Sequence, residues 1–364
     1  MNRFVIGAGL FLASGFTLHA QDLLTDRGSS VVIRRDVSAH ANILTPEIPK
    51  EVAESIKAAP NIRSVIPISG NESFGQQIIK ADEIVFDAGS RLVFTNLKAP
   101  WIAIAARRIK FRDPLGYSFI ERDMNVRSGA TGRTGNTGQR GADDYGEINR
   151  RGNDGHPGGT GGNGSVGERL QLPTIYIVAE RLLDDRNQEI PAGLLNLAVL
   201  ARGIDGGMGG AGGRGGDGGN AGNGKEGASG LFDCKEGPGP GGNGGTSGMG
   251  GRGGDGGSGG SGGTIIFVSL QRGADTFSYS RVNNQGGLGG VAGRGGAPGN
   301  PGNGGGGAGR NGWCGPSSPG SPGGFPSPVN LGDGAAGVNG IKGEMYVVSL
   351  KDLSMFFGET PVQN

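Results

Sequence analysis

Glycine recurs at every third position over long stretches of this chain. The first block has glycine at five positions spaced by three: Gly129, Gly132, Gly135, Gly138 and Gly141. A second run keeps the same period from Gly152 to Gly167, and the later blocks are mostly Gly-Gly-X. Glycine supplies 81 of the 364 residues and aromatics only 6%, against ~7% glycine in an average protein. A conventional packed core can therefore occupy only part of the chain.

The side chains between the glycines recur in a fixed order. In two of the Gly-Gly-X blocks, the X positions run polar, apolar, small apolar, Arg, then Asp or Ala, then Asn twice. These positions are Asp205, Met208, Ala211, Arg214, Asp217, Asn220 and Asn223 in one block, and Gln285, Leu288, Val291, Arg294, Ala297, Asn300 and Asn303 in the other. Drift of low-complexity sequence would not preserve this order, which therefore predicts repeated structural units.

A period of three is the period of the polyproline II helix, which has three residues per turn and a rise of ~3.1 Å per residue. Glycine edges let neighbouring backbones approach closely. The amides of such a helix have no internal partners, so they must bond to neighbouring helices. We therefore expect the blocks at 129–167, 203–263 and 286–343 to pack side by side as polyglycine II helices. Flexible linkers and a collagen triple helix are the alternatives.

Runs such as Gly206-Gly207-Met208-Gly209-Gly210-Ala211-Gly212-Gly213 carry a resemblance. The blocks resemble the glycine-rich antifreeze proteins of springtails and the tip adhesins of tailed bacteriophages, both built on packed polyglycine II helices. The resemblance covers the three glycine blocks and is compositional, so it implies a local architecture. It leaves the sequence between the blocks unmatched, and the N-terminal export signal described below departs from the phage proteins and points to an exported protein of bacterial type.

The sequence between the glycine blocks predicts strands. A recurring unit has an alternating strand, an alanine, two mostly charged residues and an aliphatic residue. It occurs at 79–84, 104–109, 177–182 and 199–204, and Phe267–Leu270 matches Val347–Leu350 as a second pair. Alternation of this kind indicates half-buried strands. A strand-plus-corner unit that recurs is typical of a coiled parallel sheet.

These patterns predict an all-β fold: a parallel β-solenoid or sheet with packed polyglycine II helical excursions. The β part takes about 75–125, 174–204, 264–284 and 344–357, so that solenoid and blocks together fill 75–357. The N-terminal part, 21–74, is of mixed composition and includes a short predicted helix at 49–59. Residues 358–364 form a C-terminal tail.

The first twenty residues have the features of a secretory signal peptide. Arg3 provides the positive charge, residues 4–16 are apolar, and Ala20 completes a cleavage site before Gln21. The apolar run is too short to span a bilayer, and no later run is long enough. Loss of Arg3 takes Lys+Arg from 34 to 33, equal to Asp+Glu at 33. Zero net charge argues against a nucleic-acid partner. The sequence predicts a secreted or cell-surface protein.

The chain has two cysteines, Cys234 and Cys314. An exported chain with two cysteines favours one disulfide. A zinc site is not expected, because the cysteines and the histidines His40 and His156 lack ligand spacing. We expect no metal and no cofactor.

Motifs of enzymes and ligand-binding proteins mostly fail here. Residues 256–260 match a serine-hydrolase elbow but lack its strand–turn–helix context. Residues 212–217 and 250–255 match the first six positions of the calcium-binding nonapeptide, but glycine stands at the apolar position two residues beyond the aspartate. Asp217 and Asp255 are therefore expected to form surface ion pairs with arginine. The acidic pairs at 143–144 and 184–185 leave open a polysaccharide-degrading solenoid enzyme. A threonine row leaves open an ice-binding face: Thr131, Thr134 and Thr137.

Two loops interrupt the glycine blocks, at 231–240 and 311–328. They hold the aromatic residues Phe232, Trp313 and Phe325, and aromatic side chains anchor interfaces. We expect these three to bind a surface ligand, either a polysaccharide or a protein; a hydrophobic cap on the glycine bundle is the alternative. The sequence thus predicts a structural or adhesion protein without catalytic residues, in which self-association is possible.

Overall fold

The structure is a computed structural model that describes Val32–Val37 and residues 48–358. The predicted signal peptide and the tail beyond Gly358 lie outside the described residues. Most strands belong to two parallel sheets, which confirms the expected strand-rich, parallel fold. In sheet order, the seven-stranded sheet contains β1 (Val32–Val37), β16 (Met345–Leu350), β14 (Ile265–Leu270), β10 (Thr174–Leu183), β6 (Trp101–Phe111), β4 (Ile78–Phe86) and β2 (Arg63–Ile68).

The second sheet has five parallel strands. They are, in order, β15 (Arg281–Asn283), β11 (Leu197–Leu200), β7 (Ser118–Arg122), β5 (Arg91–Phe94) and β3 (Asn71–Phe74). From β2 onward the chain alternates between the two sheets, each strand lying beside its predecessor in the same sheet. Two short antiparallel pairs complete the strands of the described residues: β8 (Glu147–Ile148) with β9 (Arg151–Gly152), and β12 (Ala228–Ser229) with β13 (Cys234–Glu236).

Buried aliphatic residues at matching heights fill the space between the two sheets. Ile79 pairs with Ile104, Ile104 with Ile177, and Ile177 with Phe267. The opposing sheet contributes Phe94, among others, to the same cluster. The predicted match of Phe267–Leu270 with Val347–Leu350 is confirmed, because β14 and β16 pair in that register.

The sheet that contains 199–204 and the start of the strands differ from the sequence prediction. Residues 199–204 were aligned with the unit at 104–109, but Val199 lies in the five-stranded sheet and pairs with Ile120. Both sheets have buried alternating positions, so periodicity alone could not assign a strand to one of them. The sheets also include strands before residue 75, because β1 and β2 both belong to the seven-stranded sheet. β2 lacks the alanine-and-charge corner but still buries Ile66 and Ile68.

In the described part of the chain, three helices flank the sheets: α1 (Lys50–Ala58), α2 (Gln271–Phe277) and α3 (Ser354–Phe357). The helix predicted at 49–59 is confirmed as α1, whose buried Val52 and Ile56 cover the outer face of the larger sheet. The ammonium group of Lys80 donates to the carbonyls of Ile56, Lys57 and Ala59 and so caps the end of α1. No helix in the described ranges is long and apolar enough to cross a membrane.

The glycine blocks form six hydrogen-bonded segments. We number them in chain order as segment 1 (129–144), segment 2 (152–168), segment 3 (203–224), segment 4 (239–263), segment 5 (285–308) and segment 6 (317–343). Segments 1, 3 and 5 lie side by side in one layer, and segments 2, 4 and 6 in a second layer. Neighbours within a layer run parallel, whereas contacts between the layers are antiparallel.

Hydrogen bonds recur every three residues in both directions. Within a layer, the N–H groups of Gly206 and Gly209 donate to the carbonyls of Leu288 and Val291. Between layers, Gly210 donates to Ser165 of segment 2, at 2.9 Å. The same ladder continues from the smaller sheet, where Ala201 donates to Asn283 directly after the β11–β15 pairing. Segments 1, 3 and 5 therefore extend the five-stranded sheet, and segments 2, 4 and 6 lead back into the seven-stranded sheet.

Polar side chains at some X positions accept further backbone N–H groups. The Asp205 carboxylate accepts from the N–H of Leu288 at 2.7 Å, and Asp217 accepts from Asn300 at 2.7 Å. Asn220 does the same for Asn303 at 3.0 Å. Buried or crowded amides need partners, so this bonding explains why Asp and Asn recur at fixed X positions.

Candidate functional site

Three turns meet at the end of the glycine segments that lies away from the sheets. They connect segments 1 and 2 (145–151), segments 3 and 4 (225–238), and segments 5 and 6 (309–316). We call this end of the molecule the tip. Because the segments are bonded along their length, the tip is held at a fixed place relative to the sheets.

A disulfide joins two of the three turns. Cys234 on β13 and Cys314 in the turn after segment 5 are bonded, which confirms the predicted pairing. Asn311 donates a side-chain hydrogen bond to the Gly227 carbonyl at 2.8 Å, and the Trp313 N–H donates to the Ser229 hydroxyl at 2.9 Å. The two turns are therefore fastened at several points.

Exposed apolar side chains cluster on these two turns. Leu231 is 85% exposed, Phe232 is 86% exposed and Trp313 is 63% exposed. The indole N–H of Trp313 donates to the Leu231 carbonyl at 3.0 Å, which leaves the ring accessible while fixing its edge. We call these three residues the tip cluster. The structure thus brings together Phe232 and Trp313, two of the three aromatics selected from the sequence.

Phe325 does not join the tip cluster. It lies within segment 6, where Gly324 accepts from Ser247 and Val329 accepts from Gly250. Segment 6 spends five residues there while segment 4 advances by three, so the extra residues bulge outward. Phe325 is 62% exposed on this bulge. The residues of the predicted 311–328 loop that follow residue 316 therefore belong to segment 6.

Arg150 fastens the first turn to the second, and the sequence analysis did not select it. Its guanidinium group donates to the Gly237 carbonyl at 2.9 Å, to the Glu226 carbonyl and to the Glu236 carboxylate. Lys225 and Glu147 add an ion pair of 3.1 Å between the same turns. A single arginine in a turn has no distinctive spacing, so no sequence signal marked this role.

A pocket of about 620 Å³ lies far from the tip, between β10, α2 and the end of β16. Glu180 and Glu189 line it. Burial raises the pKa of Glu180 above its usual value, although Arg107, at 2.9 Å, opposes that shift. The hydrogen bond from Arg272, together with that from Arg181, lowers the pKa of Glu189. Each carboxylate is thus held by guanidinium groups.

The acidic pairs selected from the sequence stabilise turns and segments. Asp143 accepts from the Asn220 N–H at 2.6 Å and from Arg140. Asp184 accepts from the N–H groups of Arg186 and Gln188. Neither pair lies in the pocket.

The remaining motifs lie on the segment surfaces. Asp217 and Asp255 pair with Arg214 and Arg252, at 2.7 and 3.1 Å, as expected. Thr131, Thr134 and Thr137 are exposed on segment 1. The described residues contain no group of three or more His, Cys, Asp or Glu side chains placed to hold a metal ion. His156 lies on segment 2, whereas His40 lies outside the described residues.

The comparisons with known proteins give no relatives. No protein-family model, curated protein or solved structure matches this chain.

Proposed function

We propose that this protein is a secreted or cell-surface structural or adhesion protein that presents its tip on a glycine-rich scaffold. The observation that carries the proposal is the tip cluster. Three large apolar side chains, each at least 63% exposed, lie on turns held by a disulfide. Exposing them costs solvation free energy without stabilising the fold, and aromatic anchors are typical of interfaces.

The scaffold in this proposal is a β-solenoid that carries six polyglycine II helices. Alternation of strands between two parallel sheets supports the solenoid. Hydrogen bonds to neighbouring segments at every third residue support the helices. At the ~3.1 Å rise of such a helix, residues 203–224 would place the tip about 65 Å from the sheets. A measured maximum dimension in small-angle scattering too short for that extension would contradict the scaffold.

Export is part of the same proposal. The signal-like sequence at 1–20 and the disulfide both support an oxidising compartment outside the cytoplasm. N-terminal sequencing of protein from the culture medium or cell surface should begin at Gln21. Protein that retains Met1 and stays inside the cell would contradict export.

The binding test compares the exposed aromatic residues of the tip with one that is exposed elsewhere on the molecule. Phe232→Ala with Trp313→Ala removes the tip rings, whereas Phe325→Ala removes a ring that is 62% exposed away from the tip. The probes are an array of soluble and insoluble polysaccharides and a set of purified cell-surface proteins. We expect the tip variant to weaken binding about tenfold or more, while Phe325→Ala binds as the wild type does.

Circular dichroism separates binding from folding. Both variants should keep the wild-type spectrum and melting temperature, because all three rings are exposed. If the tip variant binds normally, or unfolds instead, the rings act as a structural cap and the proposal fails.

A polysaccharide-degrading enzyme is the second candidate, and the pocket favours it. Glu180 and Glu189 have pKa values shifted in opposite directions, and such a pair can divide acid and base roles. The arginines bonded to both carboxylates support a structural role instead. Polysaccharide turnover by the wild type that disappears in Glu180→Gln would establish the enzyme in place of the binding protein.

A further inference from the structure

The glycine content of each segment follows the number of segments beside it. Segments 3 and 4 each bond to four others and have glycine at two of every three positions. A Cβ atom at Gly209 would lie 2.0 Å from the Gly254 carbonyl oxygen and 2.7 Å from the Gly293 nitrogen. Segments 1 and 2 lie at one side of the bundle, and segments 5 and 6 at the other, and there side chains replace part of the glycine.

Prolines occupy the donor positions of the side formed by segments 5 and 6. In segments 3 and 4, the residue after each X position donates its N–H to the next segment of the layer, as Gly206 does after Asp205. The equivalent residues in segments 5 and 6 would donate to a segment that the bundle does not have. Four of them are proline, which has no N–H: Pro298, Pro301, Pro319 and Pro322.

Side chains bond two further donors of this side. Gly289 and Gly295 occupy the same kind of position in segment 5, nearer the sheets. Their N–H groups donate to Asn339 at 2.8 Å and to Asp333 at 2.7 Å, both on segment 6. These amides therefore have partners within the chain.

The opposite side, formed by segments 1 and 2, offers carbonyl groups, and proline cannot remove those. Arg133, Asn136 and Gln139 stand there at positions that are glycine in segment 3. The N–H of Arg133 donates to the Ser165 hydroxyl at 2.6 Å. Their side chains occupy the space that another backbone would need.

We propose that both sides of the glycine bundle are closed against a second copy of this chain. Without the closure, segments 5 and 6 of one molecule could dock on segments 1 and 2 of the next. That contact is head-to-tail and does not close on itself, so it would build open-ended fibres. The prolines act here as charges and prolines act on the edge strands of sheets. Association of the wild-type protein is therefore excluded from these two sides.

The test uses two complementary variants of the full mature chain. The donor-open variant changes Pro298, Pro301, Pro319 and Pro322 to Gly. The acceptor-open variant changes Gln139, Ala142 and His156 to Gly, at the tip-proximal part of the opposite side. Each variant alone keeps one closed side and should sediment as a monomer. Mixed in equal amounts, they should shift to a one-to-one dimer in sedimentation velocity.

Alanine at the four proline positions provides the matched control. It restores the N–H but keeps a Cβ atom, which at the equivalent Gly206, Gly209 and Gly212 would lie 2.9, 2.7 and 2.7 Å from a backbone nitrogen of the next segment in the layer. The alanine variant should therefore not dimerise with the acceptor-open variant. Folding is checked by circular dichroism, and if the four-site variant unfolds, Pro298→Gly with Pro301→Gly is used. Folded variants that stay monomeric when mixed, or dimers formed equally by the alanine variant, would overturn the proposal.

Discussion

Glycine in the middle segments is required for its lack of a side chain. At Gly209 the space for a methyl group is already taken by the Gly254 carbonyl and the Gly293 amide. We expect Gly209→Ala to push two neighbouring segments apart and to lower the free energy of unfolding by about 1–3 kcal/mol or more. Thermal or urea unfolding followed by circular dichroism measures this.

Gly324 provides the control for that substitution. A Cβ atom there would have no heavy atom within 4 Å, and its φ is not positive. Gly324→Ala should leave stability unchanged or raise it by about 0.4–1 kcal/mol, because alanine restricts the unfolded chain. Equal losses in both variants would mean that the segments are not packed as described.

Aspartates that bridge segments should make the bundle sensitive to acid. The N–H groups of Asn220 and Asn300 hold the pKa values of Asp143 and Asp217 below their usual range. A pKa lowered by folding gives stability that is present above the unfolded value of ~3.9. That stability is lost as pH falls through the folded pKa. The melting temperature should therefore decrease as the pH is lowered below about 4.

An asparagine substitution isolates this effect. Asp143→Asn with Asp217→Asn keeps an oxygen that can accept the same N–H, as Asn220 does for Asn303, but removes the titrating group. The double variant should lose less stability than the wild type between pH 5 and pH 2. An unchanged acid profile would show that other carboxylates, such as Glu189, control it.

The sequence predicted the repeated units from the order of individual side chains, but it did not predict the roles that depend on neighbouring segments. The order of X side chains that recurs between blocks of the sequence indicates repeated units, and the structure shows that Asp205, Asp217 and Asn220 bond across segments. The roles of Arg150 and of the prolines at 298 and 301 depend on which segment is outermost. That order follows from strand connections elsewhere in the chain, so local spacing could not predict it.

At the scale of elements, loss of the disulfide should affect the tip more than the sheets. Cys234 and Cys314 are 80 residues apart. Closing a loop of that length stabilises by about 4.5 kcal/mol in the chain-entropy model. Cys234→Ala with Cys314→Ala should lower the melting temperature and loosen the two turns. Hydrogen exchange should then speed up most at 226–238 and 309–316, whereas β6 and β10 should lose only the protection that the lower global stability removes.

The same variant tests whether binding takes place at the tip. Binding to any surface probe should weaken, because the positions of Phe232 and Trp313 depend on the joined turns. Equal loss of protection in the two turns and in the sheets would show that the disulfide acts on global stability alone and does not fix the tip. One that binds as the wild type does would place the binding surface elsewhere.

The sheets act as a template for the glycine segments. Each outgoing segment continues a strand of the smaller sheet, so its N–H groups arrive already aligned with the next segment, as at Ala201 and Gly203. This alignment offsets part of the entropy cost of ordering glycine. The sequence predicted strands at both ends of the blocks, but the two layers follow from the alternation of strands between sheets. Because β11 was aligned with the wrong sheet, the layers could not be derived beforehand.

For the whole molecule, packed segments should resist proteolysis that linkers would not survive. Arg214, Arg252 and Arg294 are exposed trypsin targets within segments 3, 4 and 5, but a protease needs several residues of backbone released from their partners. Here the flanking glycines bond to neighbouring segments on both sides. Cleavage at these arginines therefore requires opening of the bundle.

Lys235 lies on the exposed turn of the tip and serves as the internal comparison. In limited trypsin digestion followed by intact-mass spectrometry, we expect cleavage after Lys235 first and survival of the bonds after the three arginines. Rapid cutting at Arg214, Arg252 and Arg294 while the sheets survive would mean that the glycine blocks are flexible linkers, and the rigid presentation of the tip would have to be abandoned.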